Sequence, residues 1–222
     1  MPGPDAEIAV RIASGDHSAF ETVMRAHNQQ MFRIARAILK DDAEAEDALQ
    51  DAYLEAFRKI ETFRGDARLS TWLTRIVINQ ALMRLRRQKR ERVVMPFERR
   101  TDGGGETSEM DAPDTRSESP GDAAMRSEAR RIIERHLDGL PVAFRAVFVM
   151  RDVEDMSVEE TAACLSIPSA TVRTRLFRAR ALLREALARD MDSATMDVFG
   201  FAGERCDRIV AHVLARVAAS PV

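Results

Sequence analysis

The sequence is poor in cysteine and in aromatic residues, and both shortages exclude classes of protein. Only two cysteines, Cys164 and Cys206, occur in 222 residues, and their spacing does not suit a metal site. A disulfide-stapled fold is therefore excluded, and a reduced cytoplasmic protein is the simplest account. Aromatic residues make up 5% and charged residues 32% of the chain, a balance that favours helices over β-sandwiches.

The chain also lacks long apolar runs and catalytic motifs. No run of about 18 apolar residues occurs, and the start MPGPDAEIAV has no basic region followed by an apolar core. We therefore expect neither a signal peptide nor membrane insertion. The histidines occur singly, and there are no paired carboxylates, nucleophile elbow or phosphate-binding loop. We predict that the chain is not an enzyme and that it binds no metal and no cofactor.

The formal net charge is only −2, but the charges are segregated along the chain. Residues 41–51 carry six acidic side chains and no basic one, whereas residues 84–92 carry six basic side chains and a single acidic one. Such blocks form separate acidic and basic surfaces, which a whole-chain average hides.

The spacing of apolar residues predicts an all-α protein with two helical domains. No segment alternates at period two for long enough to be a strand, whereas helical spacing recurs throughout. Residues 93–124 break this pattern, since they include Gly103–Gly105 and their eight acidic side chains outnumber three arginines. We interpret them as a flexible acidic linker. The predicted domains are residues 1–92 and 125–190, followed by a C-terminal extension, 191–222.

The second domain contains a helix-turn-helix pattern over residues 157–189. Ser157 and Glu160 form a capping box that starts its first helix. The second helix is apolar on one face, and its opposite face carries an aromatic residue among arginines, which indicates a contact surface. A basic helix after a short turn suits the DNA major groove. The apolar face consists of Val172, Leu176, Ala179, Leu183 and Leu187, and the contact face of Arg173, Thr174, Phe177 and Arg178.

An acidic helix is predicted over residues 42–60, with a regular apolar stripe on its inner side. Its outer face carries Asp47, Gln50, Asp51 and Leu54. One exposed leucine is ordinary, so the face is either simply solvated or a protein docking surface in which Leu54 is the apolar anchor. The residues alone leave both interpretations open.

A loop over residues 62–69 and a long helix from Ser70 to about Arg92 follow. Trp72, Ile76 and Asn79 share one stripe of that helix, so Asn79 is expected to bond either to a neighbouring helix or to a nucleotide base. The second half of the helix is strongly basic. Together with the arginines of the loop, it suits single-stranded DNA held by phosphate attraction and base stacking.

The order of these features resembles the extracytoplasmic-function (ECF) subfamily of bacterial RNA polymerase sigma factors. The matching stretches are residues 43–92, with the acidic face, the Arg-Gly-Asp loop and the Trp-containing helix, and residues 140–185, with the helix-turn-helix. The resemblance implies a cytoplasmic protein, nucleoid-associated when bound to polymerase. It would give core RNA polymerase promoter specificity by reading −35 and −10 elements and helping to melt DNA. An anti-sigma factor is implied as a further partner.

The resemblance also implies roles for individual residues. Docking on the β′ clamp coiled coil of core polymerase is implied for Asp47, Gln50, Asp51 and Leu54, and the β flap is a second implied contact. The implied −10 residues are Phe63, Arg64, Asp66, Arg68, Trp72, Arg75, Asn79, Arg84, Arg86 and Arg87. The implied −35 residues are Arg173, Thr174, Phe177 and Arg178. In the turn, Ser166 stands where the family commonly has glycine.

The reach of the linker gives a separate expectation. Two elements about 25 base pairs apart are separated by roughly 85 Å. A linker over residues 93–124 spans about 105–115 Å when fully extended, but averages about 30 Å as a free coil. The chain can therefore bridge both elements only if the linker is held extended, as threading along the polymerase would hold it.

Two further alternatives stay open on the sequence. A stand-alone helix-turn-helix regulator, with an N-terminal helical sensor or dimerisation domain, would explain the basic helix but needs neither the acidic face nor the loop before Trp72. The extension contains an amphipathic segment, residues 204–217, whose apolar stripe would either pack onto the C-terminal domain or bind a partner. That stripe consists of Ile209, Val213, Leu214 and Val217.

Overall fold

Every element is helical in the residues that the structure, a computed structural model, describes: 4–94, 120–196 and 207–213. The predicted all-α class is confirmed. Within these ranges no helix is long and apolar enough to cross a membrane. The predicted linker falls mainly on residues 95–119, which lie outside the described residues, as does Cys206.

The N-terminal half consists of four helices and one short 3-10 turn. These are α1 (Pro4–Ala13), α2 (His17–Leu39), α3 (Asp42–Lys59), the turn Ile60–Thr62, and α4 (Leu69–Val94). Asp16 and Asp41 cap α2 and α3, because their carboxylates accept hydrogen bonds from backbone N–H groups that the first helical turn leaves unpaired. Between α1 and α2, Gly15 adopts a φ of 94°, which glycine tolerates without strain.

Small side chains on α3 let the N-terminal helices pack closely. Ala45, Ala48, Ala52 and Ala56 are each at most 2% exposed, and α2, α3 and α4 all contact one another around them. The apolar side of α1 completes this cluster with Ala9 and Ile12. Helix α3 therefore buries its regular apolar stripe and leaves its acidic side exposed, as the sequence predicts.

The C-terminal half contains α5 (Pro120–Gly139), α6 (Val142–Phe148), α7 (Val158–Leu165) and α8 (Ser169–Met196). A π-helical turn, Val149–Val153, follows α6 and was not predicted. Helix α5 begins five residues before Met125, where the second domain was expected to start. Two compact units, Met1–Leu183 and Arg184–Val222, are distinguished, and the division falls within α8.

The helix-turn-helix is formed by α7 and α8. The predicted capping box is present: Glu160 N donates to Ser157 Oγ at 3.0 Å, and Ser157 N donates to Glu160 Oε2 at 2.8 Å. Ser166 ends α7 in the left-handed conformation, with φ 53° and ψ 46°. That conformation is the one glycine usually supplies at a helix C-terminus.

Within the first unit, the C-terminal helices pack against the N-terminal ones. Helix α6 contacts α2, and helix α7 contacts α4. Met150, Met156 and Cys164 share a buried cluster with Ile38 and Ile78. The two halves that the sequence separates into domains are therefore joined by an apolar interface.

Polar contacts of α6 reinforce this interface. The guanidinium of Arg145, 2% exposed, donates to the carbonyl oxygens of Ala37 and Ile38 in the last turn of α2. Its Nη1 also donates to Leu140 O at 2.9 Å. A buried arginine thus satisfies carbonyls that the end of α2 leaves without helical partners.

A helical segment at residues 207–213 belongs to the second unit. All seven of its residues are exposed, including Ile209 and Val213 from the predicted apolar stripe. Leu214 and Val217, the other two residues of that stripe, lie outside the described residues.

Candidate nucleic-acid interface

The outer face of α3 is formed by the four residues predicted for docking. Asp47, Gln50 and Asp51 are exposed, and so is Leu54, at 56%. Leu54 is thus an exposed apolar side chain with polar side chains beside it, the arrangement that the predicted docking face calls for.

Arg84 of α4 lies over the same face of α3. Its Nη2 is 2.6 Å from Asp51 Oδ2, and its Nη1 is 3.2 Å from both Asp47 Oδ2 and Glu44 Oε2. Partial burial opposes the charge, but hydrogen bonds to Asp51 and Glu44 outweigh it and raise the pKa of Arg84. Arg84 was expected to face DNA, whereas here its donors are directed at carboxylates of the protein itself.

The loop between α3 and α4 carries the first predicted −10 residues. Arg64, Asp66 and Arg68 are exposed, and Gly65 adopts a φ of 76° that forms the turn. The ring of Phe63 packs edge-on against Trp72 at 5.7 Å between centroids, and both side chains are half-buried. The arginines of the loop are therefore exposed to solvent beside the packed rings of Phe63 and Trp72.

Helix α1 supports this loop through a contact that the sequence did not reveal. Leu69 N donates to Asp5 Oδ2 at 2.7 Å, so a carboxylate from 64 residues upstream satisfies the first N–H group of α4. Ala6 lies 3.8 Å from the position that a Cβ on Gly65 would occupy. The start of α4, and with it the loop, is therefore positioned by α1.

Helix α4 presents the remaining predicted −10 residues along its outer side. Arg75 and Asn79 are exposed, and so are Arg86 and Arg87 nearer its C-terminal end. Because Asn79 is open to solvent, its amide does not require the buried partner that the stripe of Trp72 and Ile76 suggested. It is accessible to an incoming base.

The contact face of α8 is exposed as predicted. Phe177 is 70% exposed, and Arg173, Thr174 and Arg178 lie beside it in solvent. The opposite stripe is buried at Val172, Ala179 and Leu183, and half-buried at Leu176 and Leu187. Arg180, on the flank, is held by Asp152 through two hydrogen bonds of 2.8 and 2.6 Å. This pairing fixes α8 against the π-helical turn.

Helix α7 lies against the start of α4. The thiol of Cys164 donates to Thr71 O at 3.6 Å, and burial raises the pKa of this thiol to about 12. The pKa of Glu160 is lowered first by the hydrogen bond from Ser157 N, with added attraction from Arg68. Helix α7 thus covers one side of the helix that carries Trp72 and Arg75. A buried, protonated thiol is not a nucleophile.

Among the described residues no cluster of histidine, cysteine, aspartate or glutamate has the arrangement of a metal site.

Family models match both halves of the chain. Residues 23–91 match the model of sigma-70 region 2, and residues 130–183 match that of sigma-70 region 4. The ECF RNA polymerase sigma factor SigM of Mycobacterium tuberculosis is 36% identical over 183 residues, which cover 82% of this chain and 84% of SigM. The chain belongs to the ECF family of RNA polymerase sigma factors. This sigma factor therefore binds core RNA polymerase and directs promoter-specific initiation of transcription.

Solved structures are similar to the sigma factor over most of its length. CnrH, in complex with the cytosolic domain of CnrY, is 26% identical with a TM-score of 0.58, covering 85% of this chain and 99% of CnrH. The sigma factor RpoE of Bartonella quintana, in complex with the anti-sigma factor NepR, is 20% identical with a TM-score of 0.61, covering 76% of this chain and 96% of RpoE. The second likeness concerns the fold alone.

Proposed function

We propose that the sigma factor docks on the β′ clamp coiled coil of core polymerase through the outer face of α3. The observation that carries this proposal is the exposed Leu54 within a rim of Asp47, Gln50 and Asp51. A leucine that is 56% exposed gains most when a partner buries it. The β flap is proposed as the contact of the C-terminal half.

The −10 element is proposed to bind along the α3–α4 loop and the outer side of α4. Arginines project from a loop whose base is formed by two packed aromatic rings, and basic side chains continue along the helix. Phosphates attract the arginines, while an unstacked base of the separated strand would contact the rings and the amide. The proposed residues are Phe63, Arg64, Asp66, Arg68, Trp72, Arg75, Asn79, Arg86 and Arg87.

The −35 element is proposed to bind α8 in the major groove. Arginine pairs bidentately with guanine edges, and each good contact discriminates by about 1–3 kcal/mol. Phe177 supplies an apolar contact beside these arginines, as thymine methyl groups require. The proposed residues are Arg173, Thr174, Phe177 and Arg178.

Simultaneous reading of both elements requires the two halves to separate. The elements lie roughly 85 Å apart, whereas α6 and α7 are packed on α2 and α4 in the described structure. We therefore propose that the chain opens along this interface when it binds polymerase.

An anti-sigma factor is proposed to hold the chain inactive by covering the docking and DNA-reading faces. The sigma factor is proposed to act in the cytoplasm, where polymerase works, and to associate with the nucleoid once it is bound to polymerase.

Substitution of the apolar anchor tests the docking proposal. Leu54→Asp should raise the Kd for purified core polymerase about tenfold or more, because it places a charge where a partner would bury an apolar group. Val10→Asp is the matched control, since Val10 is also largely exposed, at 68%, but lies on α1. Equal polymerase affinity in the two variants would contradict the docking surface.

Binding to DNA without polymerase separates this proposal from a stand-alone regulator. The region 2 match and the docking face favour the sigma factor, since a regulator needs neither. The free chain is expected to bind promoter duplex weakly. Tight and specific duplex binding by the free chain would favour the regulator instead.

A further inference from the structure

Three carboxylates on successive turns of α3 converge on one arginine of α4. Glu44, Asp47 and Asp51 are spaced by three and four residues, which places them on one side of the helix. Arg84 reaches all three, at 3.2, 3.2 and 2.6 Å. Two of these carboxylates, Asp47 and Asp51, belong to the proposed docking face.

The exposures show which atoms stay available to a partner. The Arg84 side chain is 26% exposed, whereas those of Asp47 and Asp51 are 59% and 48% exposed. The arginine is therefore more buried than the two carboxylates that it binds. Each carboxylate has two oxygens that accept several hydrogen bonds, so both can still bind a cationic partner surface.

Without this arginine the docking face would be less ordered. Like charges at helical spacings of three and four residues repel by a few tenths of a kcal/mol, and free carboxylates sample several rotamers. A partner would then have to order them on binding, at about 0.5–1.5 kcal/mol for each side chain. A planar guanidinium can hold two carboxylates at once, which a lysine ammonium on a flexible stem does poorly.

We propose that Arg84 is a positioning residue of the polymerase-docking surface, which holds Asp47 and Asp51 in their binding geometry, and that it does not serve as a DNA phosphate ligand. The inference rests on the proposed docking role of α3. Arg84 is the first residue of the basic run 84–92, for which the sequence predicts DNA binding. The inference gives Arg84 a role in protein binding instead. Arg86, exposed two residues later, remains the proposed phosphate ligand.

Two measurements on the same variants distinguish these roles. Arg84→Lys keeps the positive charge but loses the planar guanidinium that binds two carboxylates at once. It should raise the Kd for core polymerase roughly fivefold to tenfold, because two carboxylate side chains are no longer preorganised. In Arg84→Gln, which removes the charge, the salt dependence of holoenzyme binding to a −10 fork DNA should stay as in the wild type. Arg86→Gln should do the reverse, with normal polymerase affinity and a salt slope reduced by about 0.7–0.9.

A double-mutant cycle keeps the test independent of folding. Arg84→Lys and Asp51→Asn should weaken polymerase binding less than additively when combined, because each removes the same pair. A purely structural effect of Arg84 would lower the thermal unfolding midpoint and leave the two changes additive. Additivity would overturn the proposal, and so would a reduced DNA salt slope in Arg84→Gln with unchanged polymerase affinity.

The outcome also separates this inference from the docking proposal. If Leu54→Asp weakens polymerase binding while Arg84→Lys does not, only the positioning role fails. If Leu54→Asp binds polymerase normally, the docking surface itself is wrong.

Discussion

Single polar side chains tie together parts of this sigma factor that are far apart in the chain. Arg145 bonds to carbonyls of α2 more than 100 residues upstream, and Asp5 caps α4 from 64 residues upstream. A charged group that is nearly or partly buried needs its hydrogen bonds, because leaving the partner unpaired is costly. Arg145 and Asp5 therefore help to hold helices that are distant in sequence in their relative positions.

Removal of the Asp5 carboxylate should destabilise the start of α4. Asp5→Ala should lower the free energy of unfolding by about 1 kcal/mol, the typical effect of losing a helix cap. Urea denaturation followed by circular dichroism measures this change. Glu7→Ala, on the exposed side of the same helix, is the control and should stay within about 0.5 kcal/mol of the wild type. A loss in Glu7→Ala equal to that in Asp5→Ala would show that the cap contributes nothing.

Neither contact could be predicted from the sequence. Asp5 lies on a short helix that also carries Glu7 and Arg11, and Arg145 is the one charged residue of α6. Nothing in either local pattern identifies the distant partner that the side chain meets. The same holds for Arg84. Its position in a basic run favoured DNA, whereas its environment is set by α3, which packs alongside.

At the level of elements, local sequence signals were sufficient to predict where α3 and α7 begin and which sides of α3 and α8 are exposed. Asp41 and Ser157 start α3 and α7 because their side chains cap the first turn, a property of a few adjacent residues. The apolar stripe of α3 fixed which side would be buried, and hence that Leu54 would be exposed. The outward faces of α3 and α8 follow from helical periodicity alone.

Elements that depend on tertiary packing were missed or shifted. The π-helical turn after α6 inserts an extra residue into a helix whose apolar sequence reads as continuous. Ser166 adopts the left-handed conformation despite carrying a side chain, because the turn between α7 and α8 demands it. Helix α5 begins earlier than composition suggested, as proline is well tolerated in the first turn of a helix.

At the scale of the whole molecule, the packing of one half on the other was not predicted. The sequence indicated two domains on a tether, and the domain boundaries remain a prediction. Within the first unit, however, Arg36 of α2 pairs with both oxygens of Asp138 of α5 at 2.9 Å. The apolar cluster around Met150 and Ile38 lies beside that pair. In the described residues the two halves are packed together, and the proposed reading of two promoter elements would require them to separate.

Energy transfer between labelled cysteines should report this opening. Labels at Gln29→Cys on α2 and Ala163→Cys on α7, both exposed positions, are used with Cys206→Ser, while buried Cys164 stays unreactive. Transfer should be efficient in the free chain and fall on addition of core polymerase, because the halves move toward sites roughly 85 Å apart. A pair within one half, Gln29→Cys and Arg58→Cys, should not change. Unchanged transfer between the halves would refute the opening.

Transcription by the purified chain with core polymerase on fragmented genomic DNA tests the central claim most directly. Mapped start sites should cluster downstream of one shared pair of sequence elements and be absent with core polymerase alone. Phe177→Ala should lose initiation at these sites while keeping its fold and its affinity for polymerase, since Phe177 is 70% exposed and lies on the proposed −35 face. No start sites above those of core polymerase alone, or initiation by Phe177→Ala equal to that of the wild type, would contradict the account.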